Sequence, residues 1–230
     1  MKVFFAKLWK RIKQWFLVAF LLHLIYAIVL IWFPPPITLT MISNMFKGYG
    51  LNYTRAEYKE QGDQVKLAAM ASEDQKFPDH HGIDFTAIKD AVAEKSNGKR
   101  LRGGSTITQQ TAKNIFLWQG RSWIRKGLEA YSSLLIELLW GKKRILEYYL
   151  HIAEMGPGIY GIDAAAKHYY KTSPSKLTAS QAAAIISCLP NPKERNPLKS
   201  TPKMKRKQNW ILGQMKILAR DKEVKAILTN

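Results

Sequence analysis

The chain has 230 residues, of which 47% are hydrophobic and 23% charged; those proportions suit a folded protein and exclude a disordered or low-complexity one. Lys and Arg number 36 against 17 Asp and Glu, a formal net charge of +19, which calls for an anionic partner: nucleic acid, anionic lipid or a phosphorylated substrate. Cys188 is the single cysteine, excluding an internal disulfide framework and any cysteine-based zinc or iron–sulfur site within one chain.

The first element is apolar. Gln14–Phe33 carries no formal charge over 20 residues. At ~1.5 Å per residue, a helix of that length crosses a ~30 Å hydrocarbon core. Trp9, Trp15 and Trp32 sit near its ends, where aromatic belts lie, and Pro34, Pro35 and Pro36 stop it. The run is too long for a signal-peptide core, and Phe33-Pro-Pro-Pro is a poor cleavage site. It reads as an uncleaved anchor. Lys2, Lys7, Lys10, Arg11 and Lys13 precede it and hold the N-terminus in the cytoplasm, with residues 34–230 outside. That placement argues against nucleic acid as the partner. The expected organisation is a basic tail 1–13, a transmembrane helix 14–33, a linker 34–55 and a folded domain 56–230.

The domain is expected to be mainly α. Residues 56–72 look helical. In 122–140, Ile124, Leu128, Tyr131, Leu135 and Leu138 fall at 4, 3, 4 and 3 spacing and make one apolar face, with Arg125, Glu129 and Ser132 on another. Ile145, Leu146, Tyr149 and Ile152 continue the pattern over 143–152. Thr178-Ala-Ser-Gln181 is a capping box opening a helix over 179–189, which ends before Pro190. A basic connection, 193–207, leads to a final helix near 203–220. Asn97-Gly98, Gly103-Gly104 and Met155-Gly-Pro-Gly158 mark loops.

Three segments carry side chains suited to chemistry. In 72–84, SEDQKFPDHHGID, Glu73 and Asp74 end a helical run beside Phe77, an arrangement suited to general acid or base work. The same residues also fit a solvated helix end. His80 and His81 are adjacent and so cannot both face one ion from a helix, which weighs against a metal site. In 98–114, GKRLRGGSTITQQTAKN, Ser105 or Thr106 can cap a helix on which Thr106, Gln109 and Lys113 share a face. Hydroxyl, amide and ammonium groups suit sugar hydroxyls and phosphate oxygens, although a solvated surface helix reads the same way. The segment lacks the Gly-Lys-Ser/Thr ending of a P-loop. In 121–129, RSWIRKGLE, Arg121, Arg125, Lys126 and Glu129 crowd one polar side. They make either an ordinary i,i+4 ion pair or a cationic clamp on a diphosphate beside a second carboxylate.

Taken in order, SEDQKFPDHHGID, GGSTITQQTAKN, RKGLE, KKRILEYYLHIAEMGPGIYGI and AAAKHYY resemble the five-motif signature of the peptidoglycan glycosyltransferases. The likeness runs from about Lys66 to Pro197 and is nearest the monofunctional branch. It implies a lysozyme-like helical lobe with a smaller membrane-associated jaw, behind a single N-terminal transmembrane helix. It implies Glu73 as the catalytic glutamate and Glu129 as the second essential one. Ser105, Thr106, Gln109, Lys113, Arg121, Arg125 and Lys126 match residues that hold the substrate's sugars and diphosphate. His151 departs from the family's Asn in the fourth motif.

The resemblance also implies a reaction. A lipid-linked glycan strand is the donor and lipid II the acceptor. Glu73 takes the proton of the acceptor's 4-hydroxyl as that oxygen displaces the donor's diphosphate with inversion. The basic residues stabilise the leaving group, with Mg²⁺ or Mn²⁺ bound alongside the diphosphate. The partners expected are lipid II, the growing strand, the lipid bilayer, and cell-division or penicillin-binding proteins, at the outer face of a bacterial inner membrane. Two rivals remain at this point: a membrane-anchored lytic glycosidase of the same fold, and a non-catalytic membrane-anchored adaptor.

Overall fold

A computed structural model of the chain describes residues 2–96, 104–120 and 122–229. The chain divides into two compact units, Met1–Pro35 and Pro36–Asn230. The first is a single helix, α1 (Lys2–Val29), whose stretch Phe4–Val29 is long and apolar enough to cross a membrane. It begins well before the expected 14–33, because nothing in the basic tail breaks a helix. It also ends earlier. Ile31 and Trp32 donate to the carbonyls of Ile28 and Val29, a tightened last turn before the residue that Pro34 forces out of helical geometry.

From Pro36 onward, the expected linker 34–55 falls in the second unit. Thr38 caps α2 (Leu39–Phe46) by accepting from the Met41 amide. β1 (Asn52–Tyr53) lies parallel to β3 (Ile159–Tyr160), and β2 (Glu154–Gly156) pairs antiparallel on the other side of β3. The expected loop 155–158 is thus the end of β2 and a hairpin turn at Pro157–Gly158. A side chain at Gly158 (φ 66°) would meet the Tyr49 carbonyl at 2.0 Å, which explains both the glycine and how tightly 49–52 is held.

The rest is helical: α3 (Asp63–Glu73), α4 (Phe85–Ser96), α5 (Ile107–Phe116), α6 (Trp123–Ile152), α7 (Gly161–Ala165), α8 (Ala179–Ile186), α9 (Pro202–Leu218) and α10 (Lys222–Leu228). The Thr178–Gln181 capping box opens α8 as expected, while α10, capped by Asp221, was not foreseen. In α3 every residue from Val65 to Ala71 is buried, and α8 and α9 pack against it. Its alanines let those helices approach. α6 is interrupted at Gly141 (φ 72°) and pairs along α5.

The first segment of α6 inverts the expected burial. Arg125, Glu129, Ser132 and Ser133 are buried, while Ile124 is 77% and Leu138 83% exposed. Leu128, Tyr131 and Leu134 are also exposed. The polar stripe tolerates burial because its charges satisfy one another, as the site geometry shows.

Candidate active site

Glu73 is the last residue of α3 and is half-buried. Ser72 Oγ donates to its Oε1 at 2.7 Å, and Gln110 Nε2 donates to Oε2 at 3.3 Å. The carboxylate opens into a cavity of about 720 Å³ whose walls include Ser105, Asp84, Lys207 and Trp210. Its neighbour Asp74 has a different task. Asp74 Oδ2 accepts from the Ile107 amide, the first of α5, and from His80 Nε2, both at 2.9 Å. Asp74 therefore ties the end of α3 to the start of α5, and His80 holds Asp74 rather than a metal.

The start of α5 is built the same way. Thr106 Oγ1 accepts from the Gln109 amide, Gln109 Oε1 accepts from the Thr106 amide, and Thr106 Oγ1 donates to the Gly82 carbonyl. Thr106 is 3% and Gln109 2% exposed. The side chains of Thr106 and Gln109, expected on a substrate face, are thus hydrogen-bonded within the fold, and Thr106 also lines the Glu73 cavity. Gln110, one residue on, reaches Glu73. It lies four residues from Thr106 and three from Lys113, so the helical spacing that suggested Gln109 fits Gln110 equally well.

Lys113, Arg125, Lys126 and Glu129 do come together. Arg125 Nη1 donates to Glu129 Oε2 at 2.6 Å and Lys126 Nζ to Oε1 at 2.5 Å. Lys126 Nζ also lies 3.4 Å from Ser105 Oγ, at the wall of the Glu73 cavity. Lys113 makes no ion pair among the described residues. Burial lowers its pKa, and so do the Arg125 and Lys126 charges, with Glu129 opposing them. Two cations thus share one carboxylate with Lys113 nearby, and the surplus is positive. Arg121 lies outside the described residues, as do Lys99, Arg100 and Arg102.

Gln110, which donates to Glu73, also lines a second cavity of about 360 Å³, together with Lys113, Lys193, Glu154 and Tyr149. Glu154 accepts from Asn44 Nδ2 at 3.1 Å and burial raises its pKa. Glu147 is paired with Arg144 at 2.7 Å. His151 is buried, with Nδ1 at 3.5 Å from Gln61 Nε2.

Among the described residues no three His, Cys, Asp or Glu side chains converge for a metal, and both oxygens of Glu129 already face cations.

Lys207 and Trp210 also reach the Glu73 cavity, with no local motif to mark them. Lys207 Nζ lies 3.4 Å from the Ser72 carbonyl and 4.7 Å from the Trp210 ring. The basic run KMKRK made Lys207 look like solvated surface, and only the packing of α9 on α3 brings it to Glu73.

Residues 40–216 match the family profile described as transglycosylase. The chain is 50% identical over 212 residues to a protein of Marinomonas sp. (strain MWYL1), covering 91% of this chain and 92% of that one. It is 41% identical over 226 residues to a protein of Stutzerimonas stutzeri (strain A1501), covering 96% and 93%, and 43% identical over 223 residues to one of Haemophilus influenzae, covering 93% and 90%. All three relatives carry the name biosynthetic peptidoglycan transglycosylase.

Proposed function

We propose that this chain, which belongs to the transglycosylase family and is a peptidoglycan glycosyltransferase, polymerises lipid II into β-1,4-linked glycan with Glu73 as general base. The observation that carries the reading is a half-buried carboxylate in a cavity at whose wall, at Ser105, a cluster with surplus positive charge begins. Glu73, oriented by Ser72 and Gln110, takes the proton of the acceptor's 4-hydroxyl. The freed oxygen attacks the donor's anomeric carbon, and the bond from that carbon to the diphosphate oxygen breaks with inversion. The leaving undecaprenyl diphosphate is stabilised by Lys113, Arg125 and Lys126, acting where water is partly excluded. Glu129 is the positioning residue that holds Arg125 and Lys126 in place. On this reading the Lys113 cavity receives the donor and the larger one, walled by Ser105 and Trp210, the acceptor.

The bilayer is the remaining partner. α1 anchors the chain with its basic N-terminus in the cytoplasm, and the exposed apolar face of α6 seats the folded unit at the outer surface of the inner membrane. Confinement to the surface where the lipid-linked substrates lie raises their effective concentration. Incubation with labelled lipid II and, separately, with preformed glycan tests the reaction: polymer from the first supports it, and breakdown of the second alone identifies a lytic enzyme. A reporter fused after Asn230 tests the topology; activity confined to the cytoplasm contradicts it.

A further inference from the structure

Tyr149 has no task in the reaction as described. It lies in the second segment of α6 and is 1% exposed. Its hydroxyl is buried and has no hydrogen-bond partner among the described residues. Buried hydroxyls are nearly always paired, and one that is not needs an explanation. Tyrosines nearby are paired: the Tyr160 hydroxyl with Asn44 Nδ2 at 2.5 Å, the Tyr169 hydroxyl with the Met155 carbonyl at 3.4 Å.

Its surroundings point the same way. Tyr149 lines the smaller cavity together with Gln110 and Lys113. The nearby carboxylates are already engaged, Glu73 by Ser72 and Gln110, Asp74 by Ile107 and His80. Burial raises the phenol well above its ordinary pKa, and Glu73 and Asp74 push it the same way. The group is therefore a neutral donor at physiological pH, with the cavity as the place to find an acceptor.

We propose that Tyr149 is a substrate-binding residue whose hydroxyl donates a hydrogen bond to an oxygen of the transferring sugar, the donor sugar whose anomeric carbon is attacked. This rests on the assignment of the Lys113 cavity to the donor. An unpaired hydroxyl contributes nothing to the free protein and gains its partner only when that sugar arrives, which makes it a device for sugar recognition rather than for stability.

The test is Tyr149→Phe, which keeps the ring and removes the oxygen. The probe is a short-chain lipid diphosphate disaccharide blocked at its terminal 4-hydroxyl, which can occupy the donor cavity but cannot act as acceptor. Titrated into wild type and variant, it should bind about tenfold more weakly to the variant. Inorganic pyrophosphate should bind both alike, and the variant's melting temperature should equal or exceed the wild type's. Equal affinity for the blocked donor overturns the proposal, as does a lowered melting temperature with unchanged affinity, the signature of a structural water. An equal loss for pyrophosphate places the contact on the phosphate and overturns the sugar assignment. Because the blocked donor is read by binding, failure of Glu73 as general base would show in turnover and leave this result interpretable.

Discussion

Gln109 and Gln110 separate fold from chemistry at adjacent positions. Gln109 closes the capping box of α5, so Gln109→Ala should lower stability by about 1 kcal/mol, as loss of a cap does. Gln110 touches Glu73, so Gln110→Ala should leave the melting temperature near wild type and reduce turnover. Thermal melts alongside initial rates check the pair, and the reverse pattern would contradict the assignment. The pattern Thr-x-x-Gln that marks Thr178 as a cap also stands at Thr106, and it was legible there. The attraction of a polar face at 3 and 4 spacing obscured it. The grouping of Lys113, Arg125, Lys126 and Glu129 was legible because their motifs are local, while the roles given to them and to Glu73 are part of the proposed function. Gln110 was not legible, because its partner lies on another helix. His151 gives a pH signature. Burial, with Arg55 and Arg144 nearby, depresses its pKa to about 4, with Asp163 opposing. The unfolded chain binds a proton near its ordinary 6.5 and the folded chain does not, so this contribution is complete above that value and fades as pH falls towards 4. The loss is at most about 3 kcal/mol. Denaturant melts at neutral and acid pH should show a steeper acid loss for wild type than for His151→Asn; parallel losses would contradict it.

Among the elements, α6 separates period from direction. The apolar spacing of Ile124, Leu128, Tyr131, Leu135 and Leu138 correctly indicates a helix. It says nothing about which face is buried, and here the charged face packs inward because Arg125, Lys126 and Glu129 satisfy one another. The double variant Ile124→Glu, Leu138→Glu should melt like wild type, since both side chains are largely exposed. Binding of the folded unit to lipid vesicles should weaken markedly. A fall in melting temperature with unchanged vesicle binding would show the face to be packed instead. The strands were illegible for a different reason. β1 and β3 are two residues each, too short for a period, and β1 is held by a partner more than a hundred residues away. Gly82 fixes another junction. Its φ is 83°, and a Cβ there would stand 3.0 Å from the Ser133 carbonyl. Gly82→Ala should therefore cost more than the ~1 kcal/mol typical of an incompatible backbone, read as a lowered denaturant midpoint.

At the scale of the molecule, the two units have separate roles. A chain shortened to begin at Thr38 keeps the α2 cap and every residue placed around Glu73. It should melt cooperatively and still form glycan in detergent, more slowly than the full chain on a bilayer. On the proposed function, the net charge of +19 serves at an anionic surface and around a diphosphate rather than on nucleic acid. The central claim is that Glu73 removes the proton in lipid II polymerisation. Turnover of labelled lipid II by wild type and by a Glu73→Gln protein of equal melting temperature tests it most directly. A general base contributes roughly 10²–10⁴-fold, so the variant should bind substrate and form almost no polymer. A folded Glu73→Gln protein that polymerises lipid II near the wild-type rate would contradict the account.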